Sequence, residues 1–179
     1  MNQENKVWLK NKINTNMGLE LESLLKNNFL IIPGAHDAIS ALLAKKAGFG
    51  ALYLSGGALS SSLGMPDIGI ISMDELVNRT KQIVSVTNLP VIVDGDTGYG
   101  EIVDVIRLVR ELESVGAAAI QIEDQVLPKK CGHLNGKQII SKQDMMAKIQ
   151  AASEASNNIK IIARTDSVQT DGIDSAIER

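Results

Sequence analysis

A single cysteine and two histidines narrow the chemistry open to this 179-residue chain. One cysteine permits no internal disulfide, so the expected setting is reducing and cytoplasmic. No C-x-x-C occurs, and one Cys with one His does not complete a zinc site. With only His36 and His133 present, and no G-x-S-x-G turn, a Ser-His-Asp triad has little support. No run of Lys or Arg exceeds a pair, and 18 basic residues stand against 21 acidic ones for a net charge of -3. That balance argues against nucleic acid or an anionic membrane as partner. No apolar stretch approaches the roughly 18 residues that span a bilayer. The opening MNQENKVWLK has no apolar core of a secretory signal. The expectation is a soluble cytoplasmic protein.

What is present is ordinary globular material, 44% hydrophobic and 22% charged. The length suits one domain, residues 1–179, of which 1–17 read as a polar arm leading into a short helix at about 18–26. After that, apolar runs alternate with helical periodicity. FLII at 29–32, ALYL at 51–54, PVIV at 90–93, AAIQI at 118–122 and KIIA at 160–163 read as five strands. Asp37 caps a helix to about 47, with Ile39, Leu42 and Leu43 on one face. Ser72 and Glu75 have capping-box spacing. A strongly periodic helix carries Ile102, Val105, Ile106, Val109 and Leu112 inward, and Ser141 caps another helix. This is α/β with a parallel sheet. A doubly wound sheet of five strands and a partial TIM (β/α)8 barrel fit the spacing equally. Eight units at about 30 residues each would need roughly 250 residues.

The strongest chemical signal is DGDTGYG at 94–100, after the third run. Asp94 and Asp96 lie two apart at a strand end, so both side chains can leave from one face. Paired carboxylates are costly unless a cation or proton neutralises them. A hard divalent ion, Mg²⁺ first, is the functional reading, and an Asp capping the next helix is the bland one. Glu123 ends the fourth run and can join them, since ligands gather at the C-terminal ends of parallel strands. Cys131 sits beside Lys129 and Lys130 and near His133, a setting suited to acid–base or nucleophilic work; the bland reading is an inert buried thiol, which the polar loop around it weakens. Ser55, Gly56 and Gly57 offer backbone N–H groups to a carboxylate or phosphate, or form a plain turn. Arg164 can grip a carboxylate bidentately, or simply pair with Glu123 or Asp166.

Taken together, YLSGG at 53–57, LGMPDIG at 63–69, DGDTGYG at 94–100, EDQ at 123–125, KKCGH at 129–133 and ARTD at 163–166 resemble the isocitrate lyase/phosphoenolpyruvate mutase superfamily. The resemblance runs from about residue 18 to the end. It implies a (β/α)8 barrel, a homotetramer that exchanges C-terminal helices, and a Mg²⁺ site at Asp94, Asp96 and Glu123. By the same resemblance Ser55, Gly56, Gly57, Cys131, Gly132 and Arg164 contact substrate. Cys131, Lys129, His133 and Asp67 then form the catalytic set. The reaction implied is carbon–carbon cleavage of 2-methylisocitrate to pyruvate and succinate, in the service of propionate catabolism. Isocitrate cleavage, phosphoenolpyruvate mutase chemistry and oxaloacetate cleavage are the near alternatives, and an inactive remnant is the distant one. Strands six to eight have no counterpart before Arg179, so the chain looks truncated. Alone it is expected to be aggregated or molten, without lyase activity.

Overall fold

The structure is a computed structural model that describes residues 14, 16–27, 29–132 and 134–179. The arm expected at 1–17 falls almost wholly outside them. Helix α1 (Met17–Asn27) is followed by α2 (Ala38–Lys46), β1 (Leu52–Leu54), α3 (Gly56–Ser62) and α4 (Met73–Thr87). Then come β2 (Val91–Asp94), α5 (Ile102–Ser114), β3 (Ala119–Glu123), α6 (Lys142–Ala155), β4 (Lys160–Arg164), α7 (Ser167–Thr170) and α8 (Ile173–Glu178). Local chemistry sets most boundaries. The Asp37 carboxylate accepts the Ser40 amide at 2.7 Å to start α2. Ser72 and Glu75 close a reciprocal capping box on α4, and the Ser141 hydroxyl accepts the Asp144 amide at 3.0 Å to start α6.

All four strands are parallel and lie in chain order, β1-β2-β3-β4. A doubly wound sheet reverses its strand order and carries helices on both faces. Here the order never reverses, and period-two alternation divides the strand side chains cleanly. Leu52, Leu54, Val91, Val93, Ile120 and Ile122 point toward the helices and form one core with Leu76, Ile83, Leu108 and Leu112. Ala51, Ile92 and Ala119 face the other way, where Met17 and Leu21 of α1 cover them. With the helices that connect successive strands packed on one face and the strand order never reversing, the arrangement is that of successive βα units of a barrel.

Three expectations need correction. The run 29–32 is not a strand: its first described pairing is a single parallel bridge between Gly34 and Tyr53. The Tyr53 amide donates to the Pro33 carbonyl at 3.0 Å and the Ala35 amide to the Tyr53 carbonyl at 2.9 Å, so pairing begins only past the apolar run. Phe29 is left 91% exposed. On α2 the apolar face of Ile39, Leu42 and Leu43 is exposed, and Ala41 is the buried contact. On α5, Val105, Val109 and Leu112 are buried as expected, but Leu108 joins them while Ile102 is 41% exposed.

Candidate active site

The C-terminal ends of the strands converge on a cavity of about 540 Å³. It is lined by Ser55, Gly57, Ala58, Ser61, Asp67, Asp94, Glu123, Lys129, Cys131, Gly132 and Arg164. A more open hollow of about 610 Å³, bordered by Arg110, Glu113 and Asn157, contains none of these groups. Every site residue named from the sequence and described in the structure therefore lines the cavity or touches a group that does. His133 lies outside the described residues.

Asp94 is the last residue of β2 and faces inward by strand alternation. Its Oδ2 accepts the Gly56 amide at 3.2 Å, and its Oδ1 accepts the Asp96 amide at 3.3 Å. The stretch after Ser55 is thus more than a turn. Ser55 caps the short helix α3, and the first free amide of that helix is spent on Asp94. A Cβ at Gly56 would lie 3.2 Å from Asp96 Oδ1, and one at Gly57 3.0 Å from Asp67 Oδ2, so a side chain at either would press on these carboxylates. Neither aspartate caps the next helix, whose Glu101 amide goes to Asp104 at 2.9 Å.

Lys129 enters this acidic cleft from the connection after β3. Its ammonium stands 2.6 Å from Asp67 and 2.5 Å from Asp96, at 4% exposure. Burial works against that charge, but Asp96 and Asp67 outweigh it and push the lysine up, keeping it protonated. Asp96 is itself raised by burial, despite Lys129. Glu123 pairs with Arg164 at 3.0 Å across neighbouring strands. Its other oxygen, Oε1, is buried without a hydrogen-bond partner. Burial lifts its carboxyl to about 7 against the pull of Arg164 and Lys129. Arg164 also reaches Asp166 at 3.1 Å, so both pairings foreseen for it occur together.

Among the described residues, no group of three or more His, Cys, Asp or Glu side chains forms a ready metal cage. The donors nevertheless suit a hard cation. Asp94, Asp96 and Glu123 are all under 9% exposed, and one buried carboxylate oxygen is orphaned. Sequence reasoning passed over Tyr53 and most of the polar supports of the site. The Tyr53 hydroxyl accepts from Gln121 Nε2 at 3.0 Å, and burial and the nearby Asp94 push the phenol up, so it stays neutral. Its inward direction was readable from the alternation of Leu52, Tyr53 and Leu54.

Several known proteins are similar to this chain. The chain is 54% identical over 157 residues to a 2-methylisocitrate lyase of Halalkalibacterium halodurans, covering 87% of this chain and 52% of that protein. A crystal structure of 2,3-dimethylmalate lyase, described as a PEP mutase/isocitrate lyase superfamily member, superposes with a TM-score of 0.84 at 36% identity. That match covers 91% of this chain and 57% of the other. Phosphonopyruvate hydrolase in complex with oxalate and Mg²⁺ superposes with a TM-score of 0.80 at 31% identity, over 91% of this chain and 56% of that one. The chain thus spans about half the length of the curated relatives it matches. Its sheet and outer helices are the leading βα units of a partial (β/α)8 barrel. Residues 21–179 match the family described as phosphoenolpyruvate phosphomutase, and the chain belongs to that family.

Proposed function

We propose that this chain is one domain, the site-bearing first part of a Mg²⁺-assisted lyase that cleaves 2-methylisocitrate to pyruvate and succinate. The observation that carries the reading is the meeting of Lys129, Cys131 and Gly132 with Asp94, Glu123 and Arg164 around one cavity. Asp94 and Asp96 would hold the cation, with Glu123 gripping its waters. A bound divalent ion supplies Lewis acidity to a substrate hydroxyl and its neighbouring carboxylate.

The residues of the chain do the rest. Arg164, already aligned by Glu123 and Asp166, binds a substrate carboxylate through its planar fork. Ser55 and Gly57 present hydroxyl and backbone to the pyruvate-forming end. Cleavage begins when a base takes the hydroxyl proton: the electron pair left on that oxygen forms the C=O bond of pyruvate, and the C–C pair moves onto the nascent succinate. The Cys131 thiol gives its proton to that carbon as general acid, and His133 and Lys129 balance the charge. Asp67 holds Lys129 in place. The substrate is a small tricarboxylate, the setting is cytoplasmic, and the working assembly is a homotetramer.

A chimera tests this. Residues 21–179 should be exchanged into the H. halodurans enzyme, and pyruvate release from 2-methylisocitrate with Mg²⁺ followed. The expected result is turnover that vanishes on chelation and falls at least about a hundredfold in Cys131→Ser, the usual range for losing a general acid. A folded chimera without turnover would overturn the reading. Equal kcat/KM for isocitrate would overturn the choice of substrate.

A further inference from the structure

The connection from β3 to α6 carries Lys129 and Cys131, and its polar neighbours hold it in a specific way. Gln125 is 2% exposed. Its Oε1 accepts the Lys130 amide at 3.0 Å, and its Nε2 donates to the Lys130 carbonyl at 3.0 Å. One side chain thus offers Lys130 the donor–acceptor pair that a neighbouring strand would offer. The same Nε2 donates to Asp166 Oδ2 at 2.7 Å. Asp166 is fixed in turn, its amide donating to the fully buried Asp124 at 2.9 Å. A second tie lies two residues on, where Lys137 Nζ donates to the Gly132 carbonyl at 2.6 Å and stands 3.9 Å from Asp166 Oδ2.

From this geometry we infer that Gln125 and Lys137 are positioning residues: they clamp the backbone of 130–132 to Asp166, so that Lys129 and Cys131 face the cavity. Neither side chain lines the cavity, so neither touches substrate. Cys131 is flanked by the two clamped carbonyls, at Lys130 and Gly132. Among the described residues, the anchor of its own backbone is the Leu134 amide, which donates to the Cys131 carbonyl at 2.9 Å. Releasing the clamp would let the thiol swing away while the βα frame stays intact. The inference rests on the proposed reading only in treating Cys131 as the working thiol.

Because Cys131 is the only cysteine, its alkylation by iodoacetamide reports the clamp without any substrate or metal. Gln125→Glu keeps the size and the acceptor but removes the donor to Lys130 and sets a carboxylate against Asp166. In the 179-residue chain it should speed alkylation roughly tenfold, the worth of about one net hydrogen bond. Amide exchange in β2 and β3 should stay at the parent's rate, which a general loosening would not allow. Lys137→Met should act in the same direction. An unchanged alkylation rate in folded Gln125→Glu overturns the assignment. If that variant does not fold, Lys137→Met decides in its place. A chimera that fails to cleave 2-methylisocitrate would sink the proposed function and leave this test standing.

Discussion

Glu113, in the last turn of α5, shows how much one side chain can organise. Its carboxylate accepts the backbone amides of Asn157, Asn158 and Ile159 at 3.1, 2.5 and 3.0 Å, plus the Asn157 side chain at 2.8 Å. Three successive amides just before β4 therefore end on one carboxylate, which fixes where that strand enters the sheet. Burial opposes the charge, yet these bonds outweigh it and hold the group below its ordinary value of 4.5. A depressed carboxyl contributes stability above the unfolded value and loses it as pH falls through the folded one. Glu113→Ala should therefore cost about 1–3 kcal/mol at pH 7, the range for bonds to a charged group. The gap to the parent should close as both proteins are taken below pH 4.5. A gap in melting temperature that stays constant down to pH 3 would refute the charge-based account.

Between elements, the least expected tie is Lys148 of α6. Its ammonium is buried and donates to the carbonyls of Thr97 at 3.1 Å and Gly100 at 2.7 Å. Those carbonyls belong to the loop that carries Asp96, which turns through left-handed backbone at Asp96, Gly98 and Tyr99 (φ 48, 91 and 64°). Such conformations persist only when neighbours hold them. Lys148→Met should lower the urea midpoint by an amount equal to about 1–3 kcal/mol and speed amide exchange across 95–100. An unchanged midpoint with unchanged exchange would show that the loop holds itself. None of this was legible in the sequence, because Lys148 and Thr97 are 51 residues apart and a lysine in a helix ordinarily reads as a solvated charge. Helix starts at Asp37, Ser72 and Ser141 were legible, since a cap is an interaction over three residues. So were the inward carboxylates, because strand alternation and a D-x-D motif are also local. The run 29–32 misled because a strand exists only through its partner. The face of α2 misled because periodicity marks an apolar side without saying what covers it.

For the whole molecule, the sheet has two different margins. On one side β1 meets a single bridge at Gly34, and on the other no strand pairs with the far edge of β4 among the described residues. Exposed apolar groups accompany both: Phe29, Ile39 and Leu43 at 91, 71 and 62% near the first, and Ile177 at 77% beyond the second. Open edges and uncovered apolar faces favour association. Sedimentation of the purified chain should show species heavier than its 19.2 kDa, reduced by Ile39→Ser with Leu43→Ser. A clean monomer at tens of micromolar would count against that. Strand alternation has a further consequence. In β2 and β3, Val91, Val93, Ile120 and Ile122 serve the helical layer, while Asp94 and Glu123 line the cavity and Gln121 holds the Tyr53 hydroxyl. The two sets interleave along the chain but answer to separate demands. Drift at one set can therefore reshape the cavity, while the other keeps the scaffold standing. A lineage built on such strands can change its chemistry one residue at a time without first learning to fold again.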